Sequence, residues 1–313
     1  MTRDVAEGPS IAPLSDLVPD LVRKAARRDE PDRYLSALLA PAAAQPALLA
    51  LAAFAGEMAR IPASVREPMM GEIRLQWWRD AVAAAALGGN SGHPVADALG
   101  AAMQEHGLNA QNFLRMIDAR AFDLSGDLHA SETELAKYFA DTEGAAFSLA
   151  AEVLTGRPLP DGLATNAGIA YGLARTLGRL PAMLHNGGFP LPEDVLNRVG
   201  VTRSQLTERP FAAAAVTGAR SAVKAMQAKA RASLTEVRSA TNELRSGDDL
   251  ALLPLAMVEP YFAVQNRVGF NPLEHMAEVL PLMRIWTLAR ARLNARLKAR
   301  LKARLKAKLR RRI

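Results

Sequence analysis

The chain has 313 residues, half of them apolar and only 5% aromatic, enough length to bury a large core in one domain or two smaller ones. It contains no cysteine, which excludes disulfides, thiolate catalysis and Cys-based zinc sites. The net charge of +7 is unevenly spread: twelve Lys and Arg and no acid fall between Arg290 and Arg312, leaving 27 of the 39 basic residues against 32 acids elsewhere.

Ala and Leu dominate and β-branched runs are few, which favours helix over sheet. Residues 1–29 are polar and Pro-containing, and read as a loosely ordered segment with room for a short helix at Asp16–Arg28. Asp4 and Glu7 and the lack of a continuous apolar core speak against a secretory signal. From Pro31, DRYLSALLAPAAAQPALLALAAFAGEMARI reads as two broad-faced apolar helices parted near Pro41–Pro46. The longest apolar run, Pro46–Gly56, falls short of the roughly 18 residues expected of a membrane-spanning helix.

REPMMGEIRLQWWRDAVAAAAL makes the next helix, stopped at Gly88-Gly89-Asn90, and VADALGAAMQEHGL a short amphipathic one. Helices follow over residues 109–124 and 131–154, the second opened by Ser131-Glu132-Thr133-Glu134 in a capping arrangement. Beyond the 156–162 turn, helices are expected over 163–184, 192–199, 203–207, 211–246, 248–268 and 272–300. The sequence shows no internal repeat and no alternating strand pattern. The expected fold is all-α.

Several carboxylates and aromatics have more than one reading. Asp123 and Asp127 are four apart but straddle Ser125-Gly126, a helix end, which favours cap or turn roles over metal binding. Adjacent helical residues point about 100° apart, so Trp77 and Trp78 divide into one core residue and one interhelical contact. The five histidines are scattered, with no pair at i, i+4, and read as surface or capping imidazoles.

In order and spacing, several segments resemble the squalene/phytoene synthase family. Asp32-Arg33-Tyr34 and the helices after it resemble its opening, Arg74–Arg79 its "L..W" helix, and His93–Leu99 its "PV..AL" element. Phe122-Asp123-Leu124 with Glu134, Leu135, Tyr138 and Gly144 is similar to its "DL…EL..Y…AG" segment. Ala251–Leu255 with Tyr261 resembles its closing helix, and Leu191-Pro192 its "YLP" helix start. The resemblance covers roughly residues 30 to 286. It implies an isoprenoid-synthase-like helical bundle around a central cavity, with residues 287–313 as a basic helical tail.

In that family, catalysis depends on two Asp-rich motifs on facing helices. Carboxylates four residues apart share a helix face, and their hard oxygens suit the Mg²⁺ ions that neutralise a departing diphosphate. Here Ala59, Arg60 and Ala63 stand at the first motif, with Glu57 the one acid nearby, and Arg179 and Met183 stand at the second. The polar positions just upstream of the second motif fall on Gly172, Arg175 and Gly178. An arginine at a ligand position disfavours a divalent cation.

The resemblance therefore implies a degenerate member with no catalytic residue, no metal ligand and no cofactor. Such members include the branch that acts in assembly of respiratory complex I. Tyr34, Tyr138, Arg175, Arg179 and Tyr261 are the candidates for contact with an isoprenoid or lipid ligand. For Arg60, Arg175 and Arg179, a solvated or carboxylate-paired helix face is weighed ahead of diphosphate binding. For Tyr138 and Tyr261, a hydrogen-bonded core role is the plainer reading. The alternative is an active Mg²⁺-dependent prenyltransferase with rearranged ligands.

The tail repeats an Ala-Arg-Leu-Lys pattern, with Leu293, Leu297, Leu301, Leu305 and Leu309 four apart. At 3.6 residues per turn this stripe drifts by about 40° per step. A cationic helix of this kind suits an anionic membrane surface. Nucleic acid is the lesser partner, because the acidic body offers no second basic patch, and a low-complexity extension without a partner is the bland alternative. The expected location is the cytoplasmic side of the inner membrane, peripherally attached.

Overall fold

The computed structural model describes residues 20–65, 67–240 and 247–310. Helices run in the order α1 (Asp20–Asp29), α2 (Pro31–Leu38), α3 (Gln45–Ser64), α4 (Pro68–Ala86), α5 (Pro94–His106), α6 (Ala110–Ser125), α7 (Glu132–Phe139), α8 (Ala145–Thr155) and α9 (Asp161–Gly178). They continue as α10 (Leu180–His185), α11 (Glu193–Val199), α12 (Ala213–Ser239), α13 (Asp248–Ala251), α14 (Val258–Gln265) and α15 (Pro281–Arg310). Among the described residues the one β-type contact is an isolated bridge between Leu128 and Phe189. The all-α expectation is met.

The helices wrap two apolar cores. One centres on α3, where nearly every position from Leu49 to Met58 is buried against α1, α4, α5, α6 and α8. An apolar helix of this kind has no solvent face to keep polar. The segment Ala42–Ser64 is apolar and long enough to cross a membrane by composition, yet most of it lies inside the bundle. The second core centres on α9, packed by α7, α8, α12 and α14.

The expected boundaries need correction in several places. Val22, Ala25 and Ala26 of α1 are buried against α3, so the bundle begins ahead of residue 30; residues 1–19 lie outside the described ones. The helix expected over 131–154 is interrupted at Ala140–Gly144 by one wider π turn, which adds a residue to the turn and re-aims α8. The helix expected over 163–184 breaks at Arg179, where Pro181 opens α10. The 272–300 helix begins only at Pro281, and 248–268 divides into α13, a 3₁₀ turn and α14. The 203–207 helix shortens to a 3₁₀ turn at Ser204–Leu206. The 211–246 helix ends at Ser239, and residues 241–246 of that expectation are outside the described ones.

The local signals at helix ends are where the sequence puts them. Ser131 Oγ accepts from the Glu134 amide at 3.3 Å, and the Glu134 carboxylate accepts from the Ala130 amide at 2.9 Å. Gly126 ends α6 at φ 69°, a left-handed conformation that costs glycine little.

The π turn and α9 meet backbone to backbone, and Gly168 is the reason they can. A Cβ there would lie 2.5 Å from the Phe139 carbonyl oxygen and 2.6 Å from the Gly144 amide nitrogen. Gly162, on the same helix, has no atom within 4 Å of that position. Alanine in a helix is ordinarily favoured over glycine by about 1 kcal/mol, whereas overpacking against fixed backbone costs about 1–3 kcal/mol. Gly162→Ala should therefore leave the urea midpoint unchanged or raised, and Gly168→Ala should lower it clearly. Equal midpoints for the two variants would contradict this packing.

Candidate functional site

A cavity of about 230 Å³ opens between the two cores. One wall is α3, through Gly56, Ala59, Arg60 and Ala63; the opposite wall is Arg175 and Arg179 at the end of α9 with Met183 of α10. The α6–α7 connection and α7 close a third side with Asp123, Asp127, His129 and Tyr138.

The polar interior is an ion-pair network built by residues far apart in sequence. Glu30, at the junction of α1 and α2, is 1% exposed and accepts from Arg33 at 2.7 Å and from Arg175 at 2.6 Å. Glu143, delivered by the π turn, accepts from Arg33 at 2.6 Å, with Arg175 at 3.6 Å and Arg120 at 3.7 Å from its other oxygen. Arg120 also pairs with Asp123 at 3.2 Å and donates to the Tyr138 hydroxyl. Tyr138 in turn donates to Asp123 at 2.7 Å. The Tyr171 ring packs between two guanidiniums, with Arg33 4.9 Å and Arg175 5.3 Å from its centroid.

A second buried carboxylate adjoins this network. Asp32, also 1% exposed, accepts from the Tyr171 hydroxyl at 3.0 Å and the Tyr261 hydroxyl at 2.9 Å, and pairs with Arg284 of α15. Arg284 donates as well to the Tyr261 hydroxyl at 3.1 Å. The first turn of α15 is thereby held to α2 across 252 residues of sequence.

These contacts fix the protonation states. Burial alone would raise the Glu143 pKa, but the guanidiniums of Arg33, Arg175 and Arg120 outweigh it and bring it down to about 2. Burial would lower the arginine pKa values, yet the facing carboxylates leave Arg33 and Arg175 raised, and Tyr138 followed by Asp123 and Glu143 does the same for Arg120. The hydroxyls of Tyr138 and Tyr171 are pushed well up, first by burial and then by the neighbouring carboxylates, so they remain hydrogen-bond donors. The site holds permanent charges of both signs.

The candidates named from sequence separate. Tyr138, Arg175 and Arg179 line the cavity. Arg175 is committed to Glu30 and Glu143, so the carboxylate-paired reading holds and the solvated one does not; Arg179 is exposed. Tyr261 is buried in the Asp32 cluster and is not among the cavity-lining residues. Tyr34 packs at the edge of the α3 core, outside the lining set.

Asp123 corrects another expectation. It joins Arg120 and Tyr138 rather than serving as a helix cap. Trp78 is core and Trp77 its half-exposed neighbour, edge-on to Trp78 and His93. His129 is buried and stacked on Phe122, contrary to a surface or capping role, whereas His93 does cap α5 by accepting from the Ala96 amide.

Mg²⁺ does not fit these donors. Ala59, Arg60, Ala63, Arg179 and Met183, the positions aligned with the two Asp-rich motifs, all line the cavity. Of the four carboxylates that line it, Asp29, Asp123 and Glu143 are ion-paired to arginines, which leaves Asp127 as a single further carboxylate. Among the described residues no group of three His, Asp or Glu could hold a metal ion.

Residues 26–286 match the family model described as squalene/phytoene synthase. The chain belongs to the squalene/phytoene synthase family. Within it, the chain is 30% identical over 267 residues to the mouse protein named NADH dehydrogenase (ubiquinone) complex I, assembly factor 6, spanning 85% of this chain and 78% of that one. The rat protein of the same name is 30% identical over 282 residues, 88% of this chain and 82% of that one. Among solved structures, a dehydrosqualene synthase in complex with ligand superimposes with a TM-score of 0.73 at 14% identity, covering 93% of this chain and 98% of the other. The squalene synthase HpnC of Alicyclobacillus acidocaldarius gives 0.69 at 18% identity, covering 83% and 100%. At such identities the likeness establishes the family fold.

Sequence reasoning missed Glu30, Arg120, Glu143 and Arg284 as partners. Glu143 and Arg284 are charges set among small or apolar residues, as Glu143 is in DTEGAAFSLA, whereas Glu30 lies within the charged run RRDEPDR. That signal marks burial without naming the partner, which lies up to 110 residues away for Glu143 and Arg33.

Because the folded Glu143 pKa lies below its unfolded value near 4.5, its contribution to stability is present above that value and is lost as pH falls through the folded pKa. Thermal melts between pH 5 and pH 2 should show a falling Tm in the wild type and a flatter profile in Glu143→Gln. Removing one partner from a buried pair costs about 3–5 kcal/mol, so the variant should also be markedly less stable at neutral pH. Parallel pH profiles would remove Glu143 from its assigned role.

Proposed function

We propose that this chain is a non-catalytic member of the family that acts in assembly of a respiratory NADH dehydrogenase of the complex I type, at a membrane surface. The observation that carries this reading is the character of the cavity wall. Where the active family needs carboxylates for Mg²⁺, it presents Ala59, Arg60, Ala63, Arg179 and Met183. Three of the four carboxylates that line it, Asp29, Asp123 and Glu143, are engaged by arginines. The similarity to proteins named as complex I assembly factors supports the partner class.

In this reading the protein uses no cofactor. The cavity serves the fold or holds an isoprenoid-like lipid, with Tyr138, Arg175 and Arg179 nearest to it. The protein sits peripherally on the cytoplasmic side of the inner membrane through its basic tail.

Two measurements test the proposal. Purified protein with labelled farnesyl and geranylgeranyl diphosphates should give no turnover with or without Mg²⁺, beside an active family member. Metal-dependent condensation would restore the prenyltransferase alternative. Deleting the gene in its host should reduce the fully assembled NADH dehydrogenase on native gels, with recovery on re-expression. Normal assembly in the deletion strain would remove the complex I role.

A further inference from the structure

The basic tail is only half of what α15 offers a membrane. At 3.6 residues per turn, Leu282, Trp286, Leu293 and Leu297 fall within a sector of about 60° on one side of the helix. All four are open to solvent, at 81%, 64%, 57% and 49% exposure. Ile285 flanks the sector, and Leu280 and Met283 extend the apolar surface at the helix start.

The opposite side of the helix is already occupied. Leu288 is fully buried, Ala291 packs on the α9 core, and Arg284 reaches inward to Asp32. The only cation within residues 280–289 is Arg284, so the part of this surface around Leu282 and Trp286 carries no charge of its own, and Arg290 borders it next. Cations begin at Arg290 and continue along the same helix.

We infer that the first half of α15 lies flat on an anionic lipid bilayer, with Leu282, Ile285, Trp286, Leu293 and Leu297 inserted at the level of the acyl chain boundary. This deepens the membrane reading above and rests on it. The occupant is argued from charge and shape. The first half of α15, with an exposed apolar sector, an interfacial Trp and Lys and Arg further along, has the parts of a segment that binds in the plane of a membrane. Anionic lipid matches a sequence stretch from Arg290 to Arg312 that holds twelve Lys and Arg and no Asp or Glu. A second copy of the chain would bring two such tails together and repel. Single-stranded nucleic acid would want a series of stacking aromatics, and Trp286 is the one aromatic on α15. The Arg284–Asp32 pair fixes the helix at its start, so the face is presented in a set orientation to the bundle.

The test uses the full chain in flotation with vesicles of phosphatidylcholine alone or doped with phosphatidylglycerol. The wild type should float with the anionic vesicles and not with the neutral ones. The double variant Trp286→Ser with Leu293→Ser removes exposed side chains and should melt as the wild type does. Its binding should fall at least about tenfold, given the transfer energy of two such side chains. Brominated acyl chains should quench wild-type tryptophan emission, and Trp286→Phe should abolish that quenching.

Vesicle binding that survives the double substitution would overturn the inserted face and leave the electrostatic membrane reading standing, as would quenching that persists in Trp286→Phe. A wild type that floats with neither vesicle would sink both. A double variant that changes from dimer to monomer with vesicle binding unaltered would assign the face to a second copy of the chain.

Discussion

The structure depends on keeping buried carboxylates and guanidiniums in balance at the junction of its two cores. Glu30 and Glu143 face Arg33 and Arg175 from both sides, and Arg120 and Asp123 extend the balance to Tyr138. An uncompensated ion at such depth would cost several kcal/mol. Each charge is tolerable only while the others hold position, so α1, α2, α6, the π turn and α9 must arrive together. Paired in this way the network adds little net stability over an apolar core, but it penalises every arrangement that separates its members.

Two backbone features make that convergence possible. The π turn at Ala140–Gly144 advances the register of α8 relative to α7 and brings Glu143 into contact with the arginines, beside Tyr138 one turn earlier. A regular helix would aim one of the two elsewhere. Gly168 then lets α9 approach that turn closely enough for Arg175 to reach both glutamates. The Asp32 cluster performs the same service for the C-terminal helix, since Tyr171 of α9, Tyr261 of α14 and Arg284 of α15 all close on one carboxylate. Position in the α9 core and orientation of α15 are thus settled by neighbouring residues of one short helix, α2.

The helical class, the helix-end chemistry at Ser131 and Gly126 and the family resemblance were all legible from local pattern, because caps and periodicity are short-range. That Ala59, Arg60, Ala63, Arg179 and Met183 belong together was legible too, since the resemblance puts them at its Asp-rich positions by spacing alone and all five do line the cavity. What the sequence could not supply was the pairing of charges. Arg175 reads equally well as a solvated residue until Glu30 and Glu143 are brought to it from 145 and 32 residues away. The π turn was equally hidden, because ADTEGAAFSLA has ordinary helix formers and its extra residue is selected by tertiary contacts with Gly168. The late start of α15 has the same origin: residues 272–280 are not poor helix formers, but Ala277 donates its amide to the Gly178 carbonyl and ties that stretch across α9 instead.

The same charge balance bears on what the cavity can hold. A diphosphate entering it would meet arginines, which are good anion ligands in isolation. Yet Arg33, Arg120 and Arg175 are already satisfied by carboxylates that cannot leave, and two of those carboxylates, Asp123 and Glu143, face the cavity themselves. A multiply charged ligand would therefore have to compete against internal anions at close range, without a divalent cation to offset the repulsion. Arg60 and Arg179 at the cavity wall are more accessible, but Arg60 is paired to Glu57 at 3.0 Å and Arg179 is exposed to water. An exposed guanidinium returns little of the desolvation a diphosphate would lose. In the function proposed above, the cavity is better matched to a neutral or weakly polar chain than to the charged head of a prenyl donor.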